Sequence, residues 1–287
     1  MKLLTFDMGT DSARLQERLE ALGKIIQSKR PEFVALQNVS NETIKRINGF
    51  PWCTLYKAIH PPYKFETRSK PTVALFAIYP AEDSAVMSYH ETSTNRILQK
   101  GYYLMYDKQK EAHVITVCTT TLEAGLKFSA TREKQLNEAF LSLADDEDAF
   151  ILGDFCLDDD IDGDLALEGG WKDAWLSVPS NTSSNGYTYD PDKNPLIKED
   201  PHGPGRPDRI FFKTRRYKLD SIEVVGREPY TPARGSAVTV STHYGLFAQF
   251  TPTDQLLPSN ESKLVSVVFN RTQWSLQFQE QQTNGTK

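Results

Sequence analysis

The segment KLLTFDMGTDSARLQERLEALGKIIQSKRPEFVALQNV (2–39) decides the fold class. Its first six residues form an apolar run of strand length that ends on Asp7. Residues 11–30 place Leu15, Leu19, Leu22 and Ile26 on one helical face, with Asp11 or Ser12 in position to cap the helix. Residues 33–39 return to strand character. Phe33, Val34, Ala35 and Leu36 suit a buried strand, which stops on the amides Gln37 and Asn38. Strand, helix and strand in this order imply an α/β arrangement.

Further along, NETIKRI (41–47) reads as a short helix. Five strand-like runs then follow one another: 53–59, 72–80, 84–90, 102–108 and 113–120. Such a meander builds antiparallel pairs. TREKQLNEAFLSLA (131–144) is a helix with Leu136, Ala139, Phe140 and Leu143 facing inward. Strands are expected again at 149–155, 209–214, 220–226 and 245–250. The stretch 252–287 is polar and turn-rich apart from LVSVVF (264–269) and WSLQF (274–278).

The chain has 287 residues, 39% apolar and 25% charged, enough for a large core. No linker divides it, and no window approaches the ~18 apolar residues of a membrane span. Three cysteines and five scattered histidines give neither a disulfide framework nor a zinc spacing. No signal peptide is evident, so an intracellular protein, cytoplasmic or nuclear, is expected. The net charge of −5 argues against bulk nucleic-acid binding and for protein partners. The one basic run, FFKTRRYK (211–218), reads as a strand edge blunted by charge.

Several strands end or begin in polar residues: Asp7, Asn38, Thr121, Asp154, Asp208 and His243. Asp, Asn and His at converging strand ends are the ingredients of a magnesium-dependent phosphoryl site, because magnesium prefers hard oxygen ligands. On spacing alone the same residues are also ordinary loop boundaries. DDDIDGDLALEG (158–169) fits the first half of a calcium loop. Position twelve would be Gly169, however, and a solvated acidic loop is the simpler reading. The run 144–149 reads as a solvated helix end. Asp208–Arg209 reads as a buried ion pair, and Tyr187 and Tyr189 as groove-lining residues. Trp171 and Trp175, four apart, are expected to pack a helix on the core, and Cys118 and Cys156 to be inert thiols in apolar surroundings.

The ordered set LTFD, PEFVALQNV, TTTLEAG, TREKQL, ILGDFCLDD, GYTYD, RPDRIFF and STHYGLF resembles the endonuclease/exonuclease/phosphatase superfamily, nearest to its tyrosyl-DNA phosphodiesterase 2 branch. The resemblance implies a DNase I-like α/β fold over residues 1–251. This is a four-layer sandwich of two mixed sheets flanked by helices, with 252–287 as an extension able to dock a partner through LVSVVF. It implies a magnesium-dependent phosphodiesterase site at one end of the sheets.

The catalytic positions depart from that pattern. Asp7 stands where the family has Asn, Asn38 where it has the metal-binding Glu, and Thr121 where it has His. Cys156 stands where the family has Asn, and Thr242 where it has Asp. Asp154, Asp208 and His243 remain as catalytic remnants, and Asp7, Asn38 and Asp154 as a weakened or lost metal set. The expectation is a catalytically impaired, phosphodiesterase-like pseudoenzyme without cofactor, working as a protein-binding or scaffold subunit. The alternative is an active phosphodiesterase with magnesium in a rearranged site, where Asp7 compensates for Asn38. A third reading, phosphate or DNA-end recognition through lysines and arginines, requires a basic pocket.

Overall fold

The computed structural model describes residues 1–59, 72–107, 109–197, 203–254 and 256, and the backbone of 267–270. WSLQF and most of the 252–287 stretch lie outside the described residues, as do His60 and His202.

The elements in chain order are β1 (Lys2–Asp7), α1 (Leu15–Lys29), β2 (Phe33–Val39), α2 (Asn41–Ile47), β3 (Lys57–Ile59), β4 (Thr72–Ala77), β5 (Asp83–Ser88), β6 (Ile97–Tyr106) and β7 (Ala112–Thr121). Then come α3 (Ser129–Leu141), β8 (Ala149–Asp154), β9 (Asp164–Leu167), β10 (Lys172–Asp173), β11 (Asp208–Lys213), β12 (Tyr217–Val225), β13 (Gly245–Pro252) and β14 (Val267–Asn270). Two six-stranded mixed sheets result. The first has the order β12-β13-β1-β2-β4-β3, the second β10-β11-β8-β7-β6-β5.

The period of two along each strand sorts the core into layers. Leu4 and Phe6 of β1, with Val34 and Leu36 of β2, pack against Leu15, Leu19, Leu22 and Ile26 of α1. Leu3, Phe33 and Ala35 point the other way, into a second cluster with Ile115, Val117, Phe150 and Leu152 of the opposite sheet. Cys118, Ile151 and Phe211 form the outer face of that sheet, covered by Leu136, Ala139 and Phe140 of α3, with Leu143 just beyond it. The layers are helix, sheet, sheet and helix, the DNase I-like α/β architecture.

Local details differ from expectation in instructive ways. Helix α1 starts at Leu15, and its cap residue Arg14 adopts a left-handed conformation with no side-chain cap. Asp11 instead accepts from the Ala13 amide. Trp171 and Trp175 are buried, but they flank the two-residue strand β10 and belong to no helix. The basic run is neutralised: Arg215 and Arg216 pair with Glu147, and Arg216 also pairs with Asp148. Asp148 is buried and accepts from Thr214 and from the amides of Arg215 and Arg216, so this part of 144–149 is an anchor. Part of LVSVVF pairs within the chain, since β14 lies antiparallel to β9 from Val267↔Leu167 to Asn270↔Asp164. No helix of the described residues is long and apolar enough to cross a membrane.

Candidate active site

Strand direction gathers the chemistry at one end of the sandwich. β1 and β2 are parallel, as are β7 and β8, so Asp7, Asn38, Thr121 and Asp154 all fall at carboxyl ends. β11 is antiparallel to β8 and begins there, with Asp208 opposite Asp154. β13 is antiparallel to β1, and His243 precedes it by two residues. Parity does the rest. Asp7 follows Leu3, Asp154 follows Phe150 and Leu152, and Asp208 precedes Ile210. Each sits on the strand face that lines the interior between the sheets.

Asn38 breaks this parity. Its neighbours Val34 and Leu36 face the helix layer. The β2–β4 register shifts between Leu36 and Val39, and Asn38 has φ 52°, a left-handed backbone that asparagine tolerates better than most residues. The kink brings its amide to Asp7, where Nδ2 donates to Oδ2 at 2.5 Å. Asp7 Oδ1 accepts from the Gly9 amide at 2.7 Å.

Beneath this pair lies a residue that strand patterning did not single out. Gln37 is fully buried. Its Oε1 accepts from the Thr5 hydroxyl at 3.1 Å, and its Nε2 donates to the Thr119 hydroxyl at 2.9 Å, tying the first sheet to β7 of the second. Gly153 keeps β8 close to β7. A Cβ there would lie 2.2 Å from the Thr120 carbonyl oxygen, so no larger residue fits the backbone that carries Asp154.

The other wall is built around His243. Its Nδ1 contacts Asp208 Oδ2 at 2.8 Å, and its ring meets Tyr189 edge-on at 5.3 Å between centroids. Asp208 Oδ1 is buried with no donor in hydrogen-bonding geometry, although the Thr188 hydroxyl beside the carboxyl tempers its charge. Ligand-type atoms of Asp154, Asp208 and His243 lie within 4.8 Å of one another. Asp154 accepts from the Cys156 amide and from its thiol. Cys156 thus departs from its expected apolar setting. Burial and the Asp154 charge push its thiol well up, which keeps it un-ionised. The Thr121 hydroxyl is buried without a partner. Asp208 and Arg209 do not pair with each other: Arg209 binds Asp173 and Asp159 instead.

Charge is crowded here. Burial, then mutual repulsion, raises the carboxyls of Asp7, Asp154 and Asp208, with His243 pulling each back down. Burial alone would lower His243, but Asp208, Asp7 and Asp154 outweigh it and hold the imidazole up to about 10. Three buried acids therefore crowd one imidazole.

Two of these residues, Asp154 and His243, border a pocket of about 560 Å³, while Asp7 and Asp208 are not in its lining. Asp154 and His243 lie in its wall, Asp158, Asp159 and Asp160 form one side, and Tyr187 and Tyr189 line it as expected. Arg132, the one guanidinium among the described residues of the wall, is spent on a buried bidentate pair with Asp162. That pairing also removes Asp162 from any calcium-loop role. Asp158 is similarly engaged, accepting from the amides of Asp160 and Ile161. A pocket of this charge gives no support to phosphate recognition by lysine and arginine side chains.

The donors present do fit a hard divalent cation. Asp7 and Asp154 retain free lone pairs, Asn38 has a carbonyl oxygen, and the crowded charge favours a cation's arrival. Such an ion, held by Asp7, Asn38 and Asp154, would supply Lewis-acid stabilisation of a phosphoryl oxygen.

No family model matches the chain, and no curated protein matches it. Solved structures do. A TDP2 from D. rerio, complexed with single-strand DNA product, superposes with a TM-score of 0.73 at 18% identity, covering 88% of this chain and 98% of that one. A truncated TDP2 from Caenorhabditis elegans gives 0.71 at 20% identity, covering 87% and 96%. An endonuclease/exonuclease/phosphatase family protein from Bacteroides thetaiotaomicron gives 0.65 at 15% identity, covering 87% and 97%. At these identities the likeness carries the fold, and it agrees with the resemblance drawn from the motifs.

Proposed function

We propose that this chain, which has the endonuclease/exonuclease/phosphatase fold, is a cation-dependent phosphate-ester-binding protein whose hydrolytic step is impaired. Its work is binding, with a protein partner as the second ligand. The observation that carries this reading is the convergence of Asp7, Asp154 and Asp208 on His243 at the pocket, with hydroxyls where further charged helpers would stand. The acids retain a place for a cation, and a cation gives a place for phosphate. Thr121 has only a hydroxyl to offer a phosphate oxygen, and it is buried beneath the surface. Cys156 brings a soft, un-ionised thiol to a hard-oxygen site. Losing one such charge-stabilising group typically costs ~10²–10³ in rate, and losses of cooperating groups do not add simply. For a protein partner, Leu104, Tyr106 and Val114 offer an exposed apolar patch on neighbouring strands β6 and β7, with Leu104 directly opposite Val114.

The test is paired. Calorimetry with manganese, then with manganese and phenyl phosphate, reads binding. Single-turnover assays on a 5′-phosphotyrosyl oligonucleotide and on a generic phosphodiester read chemistry. Binding with turnover far below ordinary enzyme rates is expected. Absence of metal binding at millimolar concentration removes the reading.

One observation favours a second reading, an active magnesium-dependent phosphodiesterase. Asp7 and Asn38 touch. A carboxylate and an amide in contact preserve the charge and donor types of the family's Asn and Glu, with the positions exchanged. Turnover at ordinary rates that Asp154→Asn abolishes would establish this alternative.

A further inference from the structure

We infer that the pocket takes small phosphate esters whose organic group carries no further negative charge, and that its acidic wall excludes polynucleotides. The inference rests on the reading of the pocket as a cation-dependent phosphate site.

Asp158, Asp159 and Asp160 form an acidic wall of the pocket. Asp159 is neutralised by Arg209 at 2.9 Å. Asp160 is exposed, and its carboxylate carries no ion pair among the described residues. The wall cannot swing aside cheaply. The Asp158 amide donates to Asp162, whose carboxylate is clamped by Arg132, and both clamp partners are 1% exposed. Opening it would break a buried ion pair. Tyr187, Tyr189, Gly205 and Pro207 add uncharged lining, with His243 beside Tyr189. A single phosphate can be balanced by a cation held at Asp154 in the pocket lining, with Asp7 electrostatically linked to it and Asn38 bonded to Asp7. The phosphates that follow it along a polynucleotide would meet Asp160, with no lysine or arginine free among the described residues of the pocket wall to receive them. An aromatic or cationic group at the mouth meets tyrosine faces and carboxylates, both of which suit it.

The experiment compares two probes on the full chain with saturating manganese: phenyl phosphate and a 5′-phosphorylated oligothymidylate. Phenyl phosphate is expected to bind roughly tenfold or more tighter. Oligothymidylate affinity is expected to stay flat or rise between about 50 and about 200 mM salt, where a phosphate-neutralising surface would lose affinity steeply. Asp160→Asn, and more strongly Asp160→Lys, should raise oligothymidylate affinity and leave phenyl phosphate within about twofold. Equal or tighter oligothymidylate binding by the unaltered protein, a steep loss with salt, or no response to either substitution overturns the inference. If manganese binds and neither ester does, the phosphate-site reading itself fails, and the inference falls with it.

Discussion

Two groups of buried charge lie close together in this protein and are built on opposite plans. In the supporting network, Arg132 pairs with Asp162, Arg206 with Asp173, and Arg209 with Asp173 and Asp159. Three guanidiniums meet three carboxylates. At the pocket, three carboxylates meet one imidazole, and Asp208 leaves an oxygen without a donor. The first group balances its charges within the chain, although Arg206 keeps Nε and Nη1 buried without partners, and it holds the loops in place. The second has three acids around one imidazole, with Arg18 as a further cation near Asp7, and keeps a buried oxygen without a donor, as expected of a site that completes itself with something from outside.

The widest break in this contrast comes from Arg132→Ala. It leaves Asp162 buried and unpaired and strips the Glu123 and Gly125 carbonyls of their donor. A loss of roughly 3–5 kcal/mol in urea denaturation is expected. A loss below 1 kcal/mol would show that the supporting network is not needed. Next is pH. His243 stands at about 10 in the folded protein, above its ordinary value, so its stabilising contribution is complete below pH ~6.5 and is lost as pH rises through about 10. The raised carboxyls push in the same direction. The Asp208–His243 pair is a hydrogen bond between charged groups, and its alkaline loss should cost roughly 1.5–3 kcal/mol. Imidazole nitrogen shifts followed by NMR should show the doubly protonated ring still present at pH 8. A neutral ring there would mean that the acids are not acting on it.

Gln37→Leu sharpens the comparison from below the pocket. It orphans the Thr5 and Thr119 hydroxyls, and about 1–2 kcal/mol should be lost along with weakened manganese binding. Gln37→Glu offers both hydroxyls an acceptor but buries a further acid beside the crowded carboxyls, and should recover no stability over Gln37→Leu. The smallest effect on folding belongs to Asp154→Asn. Relief of crowding offsets the altered bonds to Cys156, so stability should stay within about 1 kcal/mol while millimolar manganese binding disappears. A large loss of stability would place Asp154 with the supporting network instead.

Much of this was legible in the sequence because it depends on local periodicity. The face of α1, the inward residues of α3 and the alternation in β1 and β8 follow directly from 3.6- and two-residue repeats. The motif order led to the four layers, and terminal polar residues marked where Asp154, Asp208 and His243 converge. The rest depended on contacts far apart in sequence. The partners of Arg209 and Asp148 come from other elements, so the pair expected between Asp208 and its neighbour did not form. β9, β10 and β14 are too short to announce themselves, and the aromatic pair at 171 and 175 suggested a helix where there is none. Asn38 was the least legible, because its contact with Asp7 depends on a backbone kink that strand alternation does not foresee.

That kink also limits what position 38 can hold. A glutamate there alone would set a second acid against Asp7, on a left-handed backbone that glutamate accepts less readily than asparagine. Asp7→Asn in the same chain removes that repulsion. The backbone bend thus makes residues 7 and 38 a coupled pair, each setting what the other can be.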